Sequence, residues 1–312
     1  MGTDWHDILR QIVKATALLG KNEVAQPVKP YLRYQDPINR IIAMPAYVGG
    51  DIGVAGIKWI ASFPKNIQQN IPRAHSVIIL NEEKTGVPVA VINTPVISGI
   101  RTAGVTGTIV QRYLQHIEVP QEGFDFGIIG FGPIGRLHLE MICSLFPDTI
   151  RKIYLYDLQP IDAAHIPEAY RDKVVIATSW QEAYRASKIF ITCTVSTGAY
   201  IDIPPRKGTL QLNISLRDYK PELVKYVDTM IVDDWEEICR ENTDIEQMHL
   251  QYGLNKEDVI EIHEALFGDI WTDLENKVVM FNPMGMAIYD MAVGKYYLEK
   301  SIETGIGLVL EA

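Results

Sequence analysis

The sequence predicts an α/β fold in which a doubly wound, mainly parallel sheet is inserted into an α+β domain. Three observations predict it. The run Phe124-Asp-Phe-Gly-Ile-Ile-Gly-Phe-Gly-Pro-Ile-Gly-Arg136 is an apolar strand that leads into Gly130-x-Gly132-x-x-Gly135 and then a helix. From Phe124 onward, short apolar strands alternate with helical stretches, the pattern of βαβ units. Before that point the chain reads as strands joined by short turns.

The elements follow in order. Residues 4–20 pattern as an amphipathic helix, because Trp5, Ile8, Leu9, Ile12, Val13, Leu18 and Leu19 recur near helical spacing after Asp4, an N-cap residue type. Arg40–Pro45, Val54–Ile60 and Ser76–Leu80 are β-type runs, and Asn81–Pro88 reads as a hairpin loop into Val87–Ile92. Pro95–His116 is expected to be helical, and Pro120–Gly123 is a natural boundary. Beyond it, Val174–Ala177, Lys188–Val195, Thr209–Ile214 and Thr229–Val232 are strand candidates, with helical stretches at Trp180–Ala186 and Lys220–Tyr226. After Val278–Phe281 a last helix, from about Gly285 to Ser301, is expected to leave the nucleotide domain and pack back on the N-terminal region. The expected domains are therefore 1–119 with 285–312, and 120–284.

Glycine spacing assigns chemistry to the second domain. Gly130 permits the tight turn, Gly132 lets backbone approach a pyrophosphate, and Gly135, with Pro133 and Ile134 opening the helix, lets that helix pack on the strand. The helix N-terminus then offers free N–H groups to phosphate. A second apolar strand, Lys152–Asp157, ends in a carboxylate 22 residues beyond Gly135, the spacing that suits the adenosine ribose. Asp157 accepts from the 2′-hydroxyl of NAD and repels the 2′-phosphate of NADP, and Leu158 and Gln159 bring no cation to reverse this. The alternative is a strand-end Asp that only caps a turn.

Composition narrows the function classes. A chain of 312 residues, 47% hydrophobic, suffices for two cores. A net charge of −10 without a cationic stripe argues against a nucleic-acid surface. No apolar run of about 18 residues is present, and Met1–Asp7 lacks the regions of a secretory signal, so a soluble, cytoplasmic protein is expected without a membrane partner. Cys143, Cys193 and Cys239 are far apart, without CxxC or zinc-finger spacing, and no metal is expected.

Several residues are candidates for chemistry. Lys58 lies in the apolar run Gly56-Ile-Lys-Trp-Ile60, either at a solvent-facing strand edge or pointing into a cleft, where it binds carboxylate or exchanges a proton. Arg101 stands near the start of a long helix, within reach of cofactor phosphates or a substrate carboxylate. It is equally placed to be a surface charge. Lys29, Arg33 and Arg40 precede or flank the loop before the first long strand and are candidate carboxylate ligands or solvated charges. Asp218 falls where a strand gives way to a helix, as a general acid or base or as a helix cap. Asp233 and Asp234 make a poor metal site.

Arg40–Pro45, Lys58, Ser98–Ala103, Gly130–Gly135 and Asn282–Ile288 together resemble the ornithine cyclodeaminase/mu-crystallin family over essentially the whole chain. Gln26–Arg33, Gly56–Ile60, Ile191–Val195 and Val232–Trp235 are similar to a siderophore-pathway branch of it. The resemblance implies a homodimer whose N-terminal region and C-terminal helix bind substrate and dimerise, while a Rossmann domain holds NAD. It puts the family's substrate-binding lysine on Lys58, its arginine on Arg101 and its catalytic aspartate on Asp218. The expected cofactor set is Arg101, Thr102, Gly130, Gly132, Pro133, Ile134, Gly135, Asp157, Thr194 and Ser215, and the substrate set is Lys29, Arg33, Arg40 and Arg101. Departures from cyclodeaminases at Pro283, at Tyr289 where Glu is usual, and in the absent Asp-x-Pro-Gly-Lys pattern count against proline formation from ornithine. The implied reaction is NAD-dependent oxidative hydrolysis of N-(2-amino-2-carboxyethyl)-L-glutamate, an amino-acid substrate with several carboxylates. A cyclodeaminase, a ketimine or opine-type reductase, and a non-catalytic NAD-binding protein are the alternatives.

Overall fold

A computed structural model describes residues 2–310. Contacts divide the chain into two compact units: one holds Asp7–Arg101 and the chain from Met286, the other Asp4–His6 and Thr102–Gly285. This division by contacts falls within a helix, whereas the sequence suggests a boundary at Pro120. The C-terminal part of that helix belongs to the second unit because its side chains bond there: Tyr113 Oη donates to Gly208 O at 2.7 Å, and Thr106 Oγ1 lies 2.9 Å from His138 Nε2.

Helix α1 (Trp5–Gly20), which belongs to the first unit from Asp7 on, buries Ile8, Leu9, Ile12 and Ala15 there, the face its spacing predicts. Strands β1 (Val24–Ala25) and β2 (Tyr31–Leu32) both pair with β3 (Arg40–Val48), and β4 (Val54–Ser62), β5 (Ala74–Glu82) and β6 (Pro88–Asn93) complete an antiparallel sheet. One face is apolar. Along β5 the alternate residues Ser76, Ile78 and Leu80 are buried, as a sheet with one covered face requires. Helix α2 (Val96–Gln115) follows β6.

The second unit opens with β7 (Phe124–Ile129) and helix α3 (Pro133–Leu145), then β8 (Ile150–Tyr156), β9 (Val174–Ile176), α4 (Trp180–Ala186), β10 (Ile189–Thr192) and β11 (Leu210–Asn213). Next come β12 (Thr229–Val232), α5 (Trp235–Ile238), α6 (Asp244–Tyr252), β13 (Val259–Glu261), α7 (Ile262–Phe267) and β14 (Val279–Asn282). The sheet order is β13-β12-β14-β11-β10-β7-β8-β9, with every pairing parallel. All residues of β7, β10, β11 and β14 are buried, as in a parallel sheet covered on both faces, and these strands are mainly apolar, with Asp125, Thr192, Gln211, Asn213 and Asn282 as buried polar exceptions. The chain moves outward from β7 through β8 and β9, then returns to add β10 on the other side of β7. That reversal opens a crevice at the carboxyl ends of β7 and β10, where ligands of such sheets bind.

Helix α8 (Ala287–Thr304) returns to the first unit and packs on β3, β4 and β5. Pro221–Tyr226, expected to be helical, is a 3-10 helix.

Candidate active site

The apolar face of the first sheet carries one buried charge cluster. Lys58 sits mid-strand in β4, paired to Met44 on one side and Ile78 on the other, and is 1% exposed. A solvent-facing edge is thereby ruled out. Its Nζ donates to Asp290 Oδ2 at 2.7 Å and to Ser98 Oγ at 3.2 Å. Arg101, also buried, donates from Nε to the other carboxylate oxygen, Asp290 Oδ1, at 3.1 Å. The helical arginine is therefore not a surface charge.

Asp290 is a site residue that sequence reading missed, although the signal was present. It is a charge inside Ala287-Ile-Tyr-Asp-Met-Ala-Val-Gly294, a stretch buried throughout. Its neighbour Tyr289 turns to the core, 3.1 Å from Thr16 Oγ1. One carboxylate thus serves two buried cations, and Lys29, 3% exposed, adds its field to theirs. Burial pulls the Lys58 pKa down to about 7; Asp290 opposes the shift, while Arg101 and Lys29 assist it. Arg33 and Arg40 have their guanidinium carbons 5.1 and 5.8 Å from the Tyr31 ring centre. Arg40 shares the face of β3 that carries Met44, opposite Lys58.

In the second unit the glycine turn has the geometry a dinucleotide needs. Gly130 has φ +84°, and a Cβ there would stand 2.5 Å from the Cys193 carbonyl carbon, at the exit of β10. At Gly135 a Cβ would meet Gly130 O at 2.1 Å, so only glycine lets α3 lie this close. Gly132 differs from both: nothing lies within 4 Å of a Cβ there, which leaves space for a phosphate against the backbone. Pro133 opens α3, fixing its first turn without losing a bonded N–H. Asp157, at the end of β8, accepts from Phe131 N at 2.6 Å and Gln159 N at 2.8 Å, so it both fixes the glycine turn and lines the adjoining cleft.

The carboxyl ends of β10 and β11 carry a buried polar network. Asp218 is fully buried and accepts from Thr194 Oγ1 at 2.5 Å and from the Ser215 hydroxyl, while the Tyr200 hydroxyl bonds it as well. Capping the following helix is not its role: Lys220 is the cap residue there, without a side-chain bond. The strand-to-helix loop places Leu216 at φ +61°, a conformation costly for a branched side chain, so the loop must be held. Asp244 holds it, accepting from Asp218 N and Tyr219 N at 3.1 Å each and from Asn213 Nδ2 at 3.0 Å. Asn213 bonds onward to Asn282 Oδ1 at 2.9 Å. Burial, opposed by the Tyr219 and Asn213 donors, raises the Asp244 pKa to about 7. These anchors come from distant segments, which no local pattern announces.

Asp233 and Asp234 have structural work. Asp233 accepts from Met284 N and Gly285 N, and Asp234 caps α5 through Glu237 N. Among the described residues no group of three or more His, Cys, Asp or Glu is arranged to hold a metal, and no helix is long and apolar enough to cross a membrane.

The chain is 34% identical to N-((2S)-2-amino-2-carboxyethyl)-L-glutamate dehydrogenase of Staphylococcus aureus, over 96% of this chain and 91% of that one. Alanine dehydrogenase of Archaeoglobus fulgidus is 26% identical over 96% of the chain and 92% of its own length. The fold matches Thermococcus litoralis Delta(1)-pyrroline-2-carboxylate reductase, solved with NADH and L-proline, at a TM-score of 0.87 and 23% identity over 99% and 96% of the two chains. The sequence profile of the ornithine cyclodeaminase/mu-crystallin family matches residues 6–305, and the chain belongs to that family.

Proposed function

We propose that the protein is an NAD-dependent dehydrogenase that oxidises the secondary amine of N-(2-amino-2-carboxyethyl)-L-glutamate and releases L-2,3-diaminopropionate and 2-oxoglutarate. The observation that carries this reading is the sharing of one buried carboxylate, Asp290, by two basic side chains, Lys58 and Arg101, with the buried Lys29 close enough for its charge to act on Lys58. Two basic groups on one carboxylate favour a further anionic ligand, and this substrate brings three carboxylates. The 34% identity to the staphylococcal dehydrogenase supports the same choice.

When bound, NAD+ would supply the hydride acceptor for oxidation at the glutamyl Cα. The chain's own residues do the rest. Gly130, Gly132 and Gly135, with Pro133 and Ile134, would hold the cofactor's pyrophosphate, and Asp157 would receive its ribose hydroxyls. Thr102 and Thr194 complete the cofactor set with Ser215. Lys58, neutral above about pH 7, takes the proton of the substrate ammonium, because a protonated amine has no lone pair to assist hydride loss. Arg101 and Lys29 hold carboxylates, with Arg33 and Arg40 as outer ligands. Asp218 polarises the water that hydrolyses the imine through the hydroxyls that surround it. The balance is substrate, NAD+ and water to diaminopropionate, 2-oxoglutarate, NADH and one proton.

A homodimer is part of the reading. The edge strand β6 exposes Val89 (47%) and Val91 (65%), which suits cover by a second copy. Incubation with NAD+ and candidate amino acids, followed by NADH absorbance, tests the function. Turnover with the glutamate adduct is expected; conversion of ornithine without net NADH would favour a cyclodeaminase, and no turnover at all a binding protein.

A further inference from the structure

The cleft beside the glycine turn contains a cation that Leu158 and Gln159 do not supply. Arg136, in the first turn of α3, lines the same cleft as Asp157, with Phe131 and Gly132 alongside. Its guanidinium is positioned, since Nε donates to Phe131 O at 3.2 Å, on the residue whose N–H bonds Asp157. The two terminal nitrogens make no hydrogen bond or ion pair among the described residues, which leaves four N–H donors for a ligand. Asp157, by contrast, already accepts a backbone N–H on each oxygen. Asp162, the other acid on the cleft, is engaged as the cap of Ala163–His165 through Ala164 N.

We propose that Arg136 is a cofactor-specificity residue: it supplies positive charge to the adenosine end of the dinucleotide, and rejection of a 2′-phosphate depends on Asp157 alone outweighing it. Two opposed charges therefore share one subsite. With Asp157 present, the 2′-hydroxyl finds an acceptor and a phosphate meets a carboxylate. Without Asp157, the same subsite becomes a guanidinium facing a phosphate, the pairing in which arginine binds best. The inference rests on the reading that the chain binds a nicotinamide dinucleotide.

Titration calorimetry with NAD+ and NADP+ on the wild type, Asp157→Ser, Asp157→Ser/Arg136→Ala and Asp157→Ser/Arg136→Lys tests it without any turnover. Asp157→Asn, closer in shape, replaces Asp157→Ser should the glycine turn fail to fold without a longer side chain. The wild type should prefer NAD+. Removing Asp157 should raise NADP+ affinity at least ~10-fold, the scale of one charge-assisted contact, and Arg136→Ala in that background should abolish the gain, with Arg136→Lys keeping part of it. Equal NADP+ affinity in Asp157→Ser with and without Arg136 would overturn the proposal, as would no gain in a variant that still binds NAD+. Absence of NAD+ binding by the wild type would instead remove the dinucleotide reading, and this inference with it.

Discussion

Lys58 and Arg101 divide one carboxylate between them, Nζ on Asp290 Oδ2 at 2.7 Å and Nε on Oδ1 at 3.1 Å. The division makes the cluster asymmetric. Removing Lys58 leaves Asp290 paired with Arg101, whereas removing Asp290 leaves two buried cations facing each other. Asp290→Ala should therefore cost about 3–5 kcal/mol, the scale of a broken buried pair, while Lys58→Met costs little. Thermal or urea unfolding of both variants checks this, and equal losses would contradict the shared-carboxylate account.

Activity should reverse that order of severity at Lys58. Lys58→Met is expected to keep NAD+ affinity and fold but to lose at least ~100-fold in turnover, the usual scale for an acid–base or charge-clamp group. A variant that retained most of its activity would return Lys58 to a structural role.

The pH dependence follows from the same residue. Burial lowers the Lys58 pKa to about 7, so the group is protonated below that value and neutral above it. As the proton acceptor it should make kcat/KM rise tenfold per pH unit below about 7 and level off above. Arg at this position stays charged, so Lys58→Arg should lose the limb entirely. The stability sign runs the same way: a lysine with a depressed folded pKa costs stability at low pH, and that cost fades as pH rises from about 7 toward the unfolded value of 10.5.

Glycines of the phosphate turn should separate binding from folding. A Cβ at Gly132 meets no protein atom, but at Gly135 it meets Gly130 O at 2.1 Å. Gly132→Ala is expected to unfold like the wild type and bind NAD+ at least ~10-fold more weakly, as the loss of a phosphate contact implies. Gly135→Ala should lower the melting temperature. The opposite pattern would place the pyrophosphate elsewhere.

Much of this was legible before the structure, for reasons that differ between elements. The strand–glycine–helix run and the buried parallel strands are local patterns, so β7, α3, β8 and the helix α2 fell where periodicity put them. Lys58 was legible as a charge in an apolar strand. Its partner was not paired with it by any spacing, since Asp290 lies 232 residues away and meets it only through the packing of α8 on β4. Asp244 and Arg136 escaped for a related reason. One is joined to the Asp218 loop by backbone N–H groups, which have no sequence signature, and the other reads as an ordinary helix-surface arginine. Contacts divide the chain between Arg101 and Thr102, inside a helix, where composition offers no sign of a break such as Pro120–Gly123 suggests.

The central claim is that the buried positive cluster selects a substrate with several carboxylates. Mass spectrometry of the products formed with NAD+ tests it most directly, with N-(2-amino-2-carboxyethyl)-L-glutamate in one reaction and L-ornithine in the other. The account predicts L-2,3-diaminopropionate and 2-oxoglutarate from the first and no proline from the second. Proline from ornithine, with the glutamate adduct untouched, would contradict it.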